Sequence, residues 1–249
     1  MPITVRRRRT GRLAKWPRLQ TLAGWLRQHV SPSERAIYRL RKDMGPHLLQ
    51  PWPVTAFDRH PALFAFARQE LAGRPSPSLL SYGCSTGEEP LTLAHYIPSA
   101  TITAIDINAR SIAKARRRAV EAGLDRVTFQ VGATAPVPCR QFDAIFCLSV
   151  LRHGELDAII PADCEEILPF SSFARMVAAL DGCLRDGGLL FIWGSNFDFR
   201  DLPLACRYEL VSLPSVPPHP GPVYGPDNRL KHQEGLDCFV FRKKPATPG

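Results

Sequence analysis

From Ser78 onward the chain repeats one pattern, a short apolar run of strand length followed by a segment with helical spacing. Ser78–Tyr82, Thr101–Ile107, Val127–Val131, Phe142–Ser149 and Leu189–Trp193 read as strands. Between them, segments at about Glu88–Tyr96, Ala109–Ala122 (closed by Gly123) and Phe173–Leu184 (closed by Asp186-Gly187-Gly188) read as helices. Neighbouring parallel strands need a crossover, and a helix is the usual one. The alternation therefore predicts a doubly wound, mainly parallel α/β sheet. Tyr208–Leu213 and Asp237–Arg242 read as a terminal pair of strands. Pro214 to Pro226 holds six prolines in thirteen residues, which predicts a semi-rigid loop that is neither strand nor helix.

The residues before Ser78 have a different texture. Leu19, Leu22, Ala23, Leu26 and Val30 recur at helical spacing, and Ser31-Pro32-Ser33-Glu34 reads as a capping box opening a second helix towards Leu48. Pro51-Trp52-Pro53 breaks it, and a third helix is expected over about Pro61–Ala72, closed by Gly73. The expected organisation is a disordered basic arm over 1–15, a small N-terminal helical appendage over 16–74, and the main domain over 75–249.

Charge separates along the same line. Eight of the 32 Lys and Arg residues lie before the first acid, Glu34, leaving 24 basic and 23 acidic residues in the rest. The formal charge of +9 thus belongs to the arm, and the body is nearly neutral. Such an arm is a solvated tail, a contact for nucleic acid or another anionic surface through residues 6–18, or an organelle transit peptide. No apolar core of a secretory signal follows the arginines. No stretch approaches the roughly 20 apolar residues of a membrane span; the longest apolar run, Ala144–Leu151, is strand-length. Seven scattered cysteines without a CxxC pair predict neither a disulfide framework nor a zinc site, so no metal is expected and a reduced, cytoplasmic protein is.

The chemistry gathers at the first strand–turn–helix, Leu79-Leu80-Ser81-Tyr82-Gly83-Cys84-Ser85-Thr86-Gly87-Glu88-Glu89. Gly83 and Gly87 let backbone approach a ligand closely, with Cys84 and Ser85 between them. The second strand ends Ala104-Ile105-Asp106-Ile107-Asn108, about 20 residues further on. A carboxylate there suits a bidentate grip on two ribose hydroxyls, a helix N-cap being the alternative, and Ile107 would wall an adenine ring. A dinucleotide would want Gly-x-Gly-x-x-Gly and no acid beside its pyrophosphate. Glu88 and Glu89 instead favour a cation, and S-adenosylmethionine carries an ammonium and a sulfonium but no phosphate.

Tyr82 to Ala94 closely resembles the cofactor loop of the chemotaxis protein-glutamate O-methyltransferases, a class I, Rossmann-like methyltransferase family. Val54-Thr55-Ala56-Phe57-Asp58-Arg59 with Phe64, Phe142–Cys147 and Leu184–Phe191 are similar to three further family segments in the same order. The resemblance implies S-adenosylmethionine contacts from Thr55, Arg59, Glu88, Asp106, Ser149 and Val150. Glu88 would hold the methionine ammonium and Arg59 its carboxylate or an acidic acceptor. Ala133 takes the adenine-side position after the third strand. Pro53 replaces the family's Asn, and Lys114–Val127 leaves no room for its receptor-docking β-subdomain.

His153, just past the fourth strand where the family carries a Tyr, is read as the group that deprotonates or orients the acceptor. Glu155–Ser172, the proline-rich loop, Trp193, Asn196 and Tyr224 would shape the acceptor pocket, and the acids of that segment favour a cationic or hydroxylated acceptor. The expected function is S-adenosylmethionine-dependent methylation of a small molecule or a protein side chain. A nucleic-acid methyltransferase using the arm, and a non-catalytic cofactor-binding module, are the alternatives.

Overall fold

The computed structural model describes Gln50 and residues 55–133, 141–213 and 216–245. All belong to one compact unit, Pro46–Gly249. The basic arm, the helices expected between residues 16 and 48 and the Pro51–Pro53 break lie outside the described residues. The described chain runs α1 (Pro61–Glu70), β1 (Ser78–Tyr82), α2 (Glu88–Tyr96), β2 (Thr101–Asp106), α3 (Ala109–Glu121), β3 (Val127–Val131), β4 (Phe142–Leu148), α4 (Gly154–Ile159), α5 (Phe170–Cys183), β5 (Leu184–Trp193), β6 (Tyr208–Val211), β7 (Val223–Tyr224), β8 (Leu230–His232) and β9 (Val240–Lys243).

Seven strands form one sheet in the order β3-β2-β1-β4-β5-β9-β6. The first five are parallel, and β9 runs against both β5 and β6. The doubly wound parallel sheet expected from the alternation is therefore present. Its chain path moves outward from β1 to β3, then returns to place β4 beside β1. That reversal opens a crevice beyond the C-terminal ends of β1 and β4, where open α/β sheets bind ligands.

Both faces of the sheet are covered, which is why β4 reads as a continuous run with all seven residues buried. Residues alternate between two cores. Leu80, Ile145 and Leu190 face α5 through Phe173, Val177 and Leu180. Leu79, Ala144, Phe146 and Phe191 face α1, α2 and α3 through Leu63, Phe64, Leu93, Ile112 and Ala115. Phe146 and Phe191 stack with centroids 4.4 Å apart. Asp143 is the polar exception in β4. It accepts from the Ser78 N–H (2.8 Å) and pairs with Arg74 (2.7 Å) and Arg185 (2.8 Å), so the buried carboxylate is satisfied.

Three expectations are corrected. Helix α1 lies in the sheet's own unit, with Phe64 6.1 Å from Phe146, and shares its core. Strand β5 begins at Leu184, so Asp186-Gly187-Gly188 lies inside it and the β4–β5 register shifts there. The proline-rich segment does contain a strand: Val223 and Tyr224 pair with β8 in a small two-stranded sheet. A two-residue ladder asks little of the backbone, and neither Val223 nor Tyr224 is a proline, so the prolines do not forbid it.

Candidate functional site

The loop after β1 is shaped by close approach. A side chain on Gly83 (φ 76°) would collide with Val150 beyond β4, and one on Gly87 (φ 93°) would stand 2.8 Å from Ala115 of α3. The glycines thus pack the loop against its neighbours. Gly83 and Cys84 both donate their N–H to the Ile105 carbonyl (2.8 and 3.0 Å), and Cys84 is buried, which drives its thiol pKa up. Ser85 donates its N–H to Asp106 Oδ2 (2.8 Å) while adopting a left-handed φ of 49°. Its hydroxyl is buried without a hydrogen-bond partner among the described residues. Backbone strain and buried polar atoms without partners cluster at ligand sites, and Ser85 combines the two at the end of β1.

Asp106 closes the next strand. Oδ1 accepts from the Asn108 N–H (2.8 Å) and Oδ2 from Ser85, so each carboxylate oxygen retains acceptor capacity for one of two vicinal hydroxyls. It is not the helix cap: Asn108 caps α3, accepting from the Arg110 and Ser111 N–H groups. Burial raises the Asp106 pKa against those two amide bonds. Gly132, beyond β3, donates to the Asp106 carbonyl (3.1 Å), and the Ala133 carbonyl accepts from the Tyr82 hydroxyl (2.6 Å). Asp106, partly buried Ile107 and Ala133 therefore line adjacent strand tips.

The two acids at the start of α2 point differently. Glu88 is held by the Thr86 hydroxyl (2.6 Å) and by an ion pair with Arg118 of α3; burial opposes its ionisation, but these partners win and its pKa falls. Its carboxylate is thus tied to the loop and to α3. Glu89 instead accepts from Ser81 Oγ of β1 (2.7 Å) and feels Arg59. Burial raises its pKa to about 7 against both contacts. One residue along a helix is a turn of about 100°, which the sequence alone does not orient.

Arg59 reaches over the β4 exit, with Nη2 3.5 Å from both the Leu148 carbonyl and Ser149 Oγ. Its Nε donates to His60 Nε2 (3.0 Å). The segment holding partly buried Thr55 and Arg59 is pinned to α2, where Asp58 N–H donates to Thr92 Oγ1 (3.2 Å) and the Tyr96 hydroxyl to Asp58 (3.0 Å). Ser149, at a left-handed φ of 62°, donates its N–H to the Trp193 carbonyl (2.6 Å), and Val150 fills the space against Gly83. The structure thus gathers Arg59, Glu89, Ser149 and Val150 at the reversal between β1 and β4.

His153 is placed otherwise than expected. It is the N-cap of α4, its Nδ1 accepting from the Glu155 N–H (3.3 Å). Its own N–H donates to Asn196 Oδ1 (2.8 Å). A proton-accepting role through that ring nitrogen is closed by the cap. Asn196 is fully buried and also donates to the Pro222 carbonyl (2.9 Å), while Arg152 donates to the Pro220 carbonyl (2.9 Å) and pairs with Asp157 (2.8 Å). The proline-rich loop is thereby tied to the β4 exit, and Asp157 is committed to Arg152. Sequence reasoning missed His60 and His219, which flank Trp193 with ring centroids 4.2 and 4.6 Å away. Neither lies in a motif; their signal is only that each stands in a segment bordering the crevice.

Among the described residues, no cluster of three or more His, Cys, Asp or Glu side chains has a metal-holding arrangement. No helix among them is long and apolar enough to cross a membrane.

Residues 79–168 match a family model described as a methyltransferase domain. An uncharacterised protein of Synechococcus sp. is 34% identical over 155 residues, 59% of this chain and 33% of that protein. A tRNA (guanine-N(7)-)-methyltransferase of Chloroflexus aggregans is 40% identical over 79 residues, 31% of this chain and 35% of that protein. The chain thus spans about a third of the length of these relatives. A solved methyltransferase from Geobacter sulfurreducens aligns over 92% of this chain and 96% of its own at 17% identity, with a TM-score of 0.46. Residues 79–168, the stretch similar to that methyltransferase-domain model, run from β1 to just before α5 and carry the core of the Rossmann-like sheet.

Proposed function

We propose that the protein transfers a methyl group from S-adenosylmethionine to a nitrogen or oxygen of a small molecule or a protein side chain. The observation that carries this is the Asp106–Ser85 pair, a carboxylate with spare acceptor capacity beside a buried, unpartnered hydroxyl. Asp106 would hold the ribose hydroxyls, with Ile107 and Ala133 beside the base. Arg59 and the ionised form of Glu89 offer a cation and an anion, a pair that suits the carboxylate and ammonium of an amino acid. Thr55, Ser149 and Val150 would complete the wall. Glu88 would act at one remove, fixing the loop through Thr86 and Arg118. When bound, the donor supplies an electrophilic methyl; the chain supplies orientation, which is much of what such a displacement needs.

The likeness of residues 82–94 to the chemotaxis methyltransferases supports the donor half of this reading. Asp106→Ala should weaken S-adenosylhomocysteine binding at least a hundredfold in isothermal titration, whereas near wild-type affinity would remove the site assignment. Incubation with methyl-labelled donor and fractionated lysate then asks whether the label enters small molecules, protein or RNA.

One observation favours RNA as a second reading. Exposed Arg110, Lys114 and Arg117 share a face of α3 and make no ion pair among the described residues, and one relative is named a tRNA methyltransferase.

A further inference from the structure

With His153 capping a helix through Nδ1, one other histidine among the described residues beside the crevice has a geometry that fits proton transfer. His219 stands on the proline-rich loop, edge-on to Trp193 at 4.6 Å. Its Nδ1 lies 2.9 Å from the Pro220 carbonyl. A carbonyl only accepts, so Nδ1 carries the proton and Nε2 presents its lone pair. No hydrogen bond to Nε2 is found among the described residues. Cδ2, the ring carbon bonded to Nε2, lies 3.5 Å from the place a side chain on Gly194 would occupy, and Ser149 Oγ at the β4 exit lies 3.0 Å from that same place. His60, the other ring beside Trp193, already uses Nε2 to accept from Arg59.

We propose that His219 Nε2 is the proton acceptor of the methyl transfer, and that the acceptor class is therefore one that must lose a proton, an N–H or O–H nucleophile. This deepens the methyltransferase reading and rests on it. As the acceptor's lone pair forms the new bond to the methyl carbon, the carbon–sulfur pair leaves with sulfur. The acceptor's proton passes to Nε2, giving an imidazolium that partly exposed His219 returns to solvent. A carboxylate acceptor would need no such group. The charged and titratable groups facing His219 are Arg152, Asp157 and His60. Burial, then Arg152, lowers the His219 pKa below 6.5, so the ring is neutral and ready to accept at pH 7.

Diethylpyrocarbonate acylates an unprotonated imidazole nitrogen, and peptide mass spectrometry assigns the label. His219 should label readily at pH 7, and saturating S-adenosylmethionine should slow it at least fivefold. Unchanged labelling, with titration showing the donor bound, overturns the role of His219 while leaving the methyltransferase reading intact. Absence of donor binding removes both. His219→Gln should retain donor binding yet lose at least a hundredfold of label incorporation, at pH 7, into the lysate fraction that the wild type methylates. That loss should shrink as pH rises and the acceptor ionises unaided. A full rate in this variant, or a loss independent of pH, overturns the proposal.

Discussion

Glu88 and Glu89 are chemically identical neighbours, yet they take opposite fates because one turns to Arg118 and the other to Ser81 and Arg59. The sequence made an acidic pair beside a glycine turn legible, and with it the preference for a cationic ligand. It did not orient the pair, because that depends on where α3 places Arg118. Titration separates the two residues. The folded-state pKa of Glu89, about 7, lies above the ordinary 4.3, so the protonated form favours the fold and the contribution declines as pH rises between those values. An ammonium needs the ionised form, so binding runs the other way and strengthens as pH rises towards and past 7. S-adenosylhomocysteine should bind about tenfold more tightly at pH 8 than at pH 6. Glu89→Gln should weaken binding and flatten that dependence. Glu88→Gln should keep the pH dependence; if it alone flattens, the assignment is reversed.

At the scale of elements, the strands of the parallel core were legible because burial on both faces writes them as apolar runs, Phe142–Leu148 above all. The proline-rich loop was not. Its path is fixed by contacts that carry no periodicity: Asn196 to Pro222, Arg152 to Pro220, and the Tyr224 N–H to the Asn196 carbonyl. For the same reason Asn196, set aside as a pocket residue, proves to be a buried junction between the β4 exit and this loop. Replacing it with Ala strands the His153 N–H and the Pro222 carbonyl. The expected cost is about 1–3 kcal/mol in denaturant unfolding, as for other unsatisfied buried polar groups. Amide exchange should quicken at Val223 and Tyr224, and His219, four residues before Val223, should lose its fixed aim. Unaltered exchange there would show that the loop is held by other contacts.

For the whole molecule, the alternation of strands and helices dictated the sheet but not its far edge, where β9 slips between β5 and β6 and runs against both. Charge is the other global property. Eight uncompensated positive charges precede Glu34, and the exposed face of α3 adds Arg110, Lys114 and Arg117, whereas the remainder, with 21 basic and 23 acidic residues, is slightly acidic. Coulombic attraction to a polyanion is read from its salt dependence, each neutralised phosphate contributing about 0.7–0.9 to the slope of log K against log salt. Binding of bulk tRNA by the full chain should therefore weaken steeply with salt. Removing residues 1–15 takes away six of these charges and should flatten the slope accordingly. Replacing Arg110, Lys114 and Arg117 with Ala should lower it by a further 2–3 or so if the helix face lies along the same backbone. A slope insensitive to the helix but lost with the arm would make the arm a tether only. Because Asp106 and Ser85 lie at the strand tips and not on that face, S-adenosylhomocysteine affinity should stay the same in both variants. Loss of donor binding along with RNA binding would show that the fold, and not the charge, had been changed.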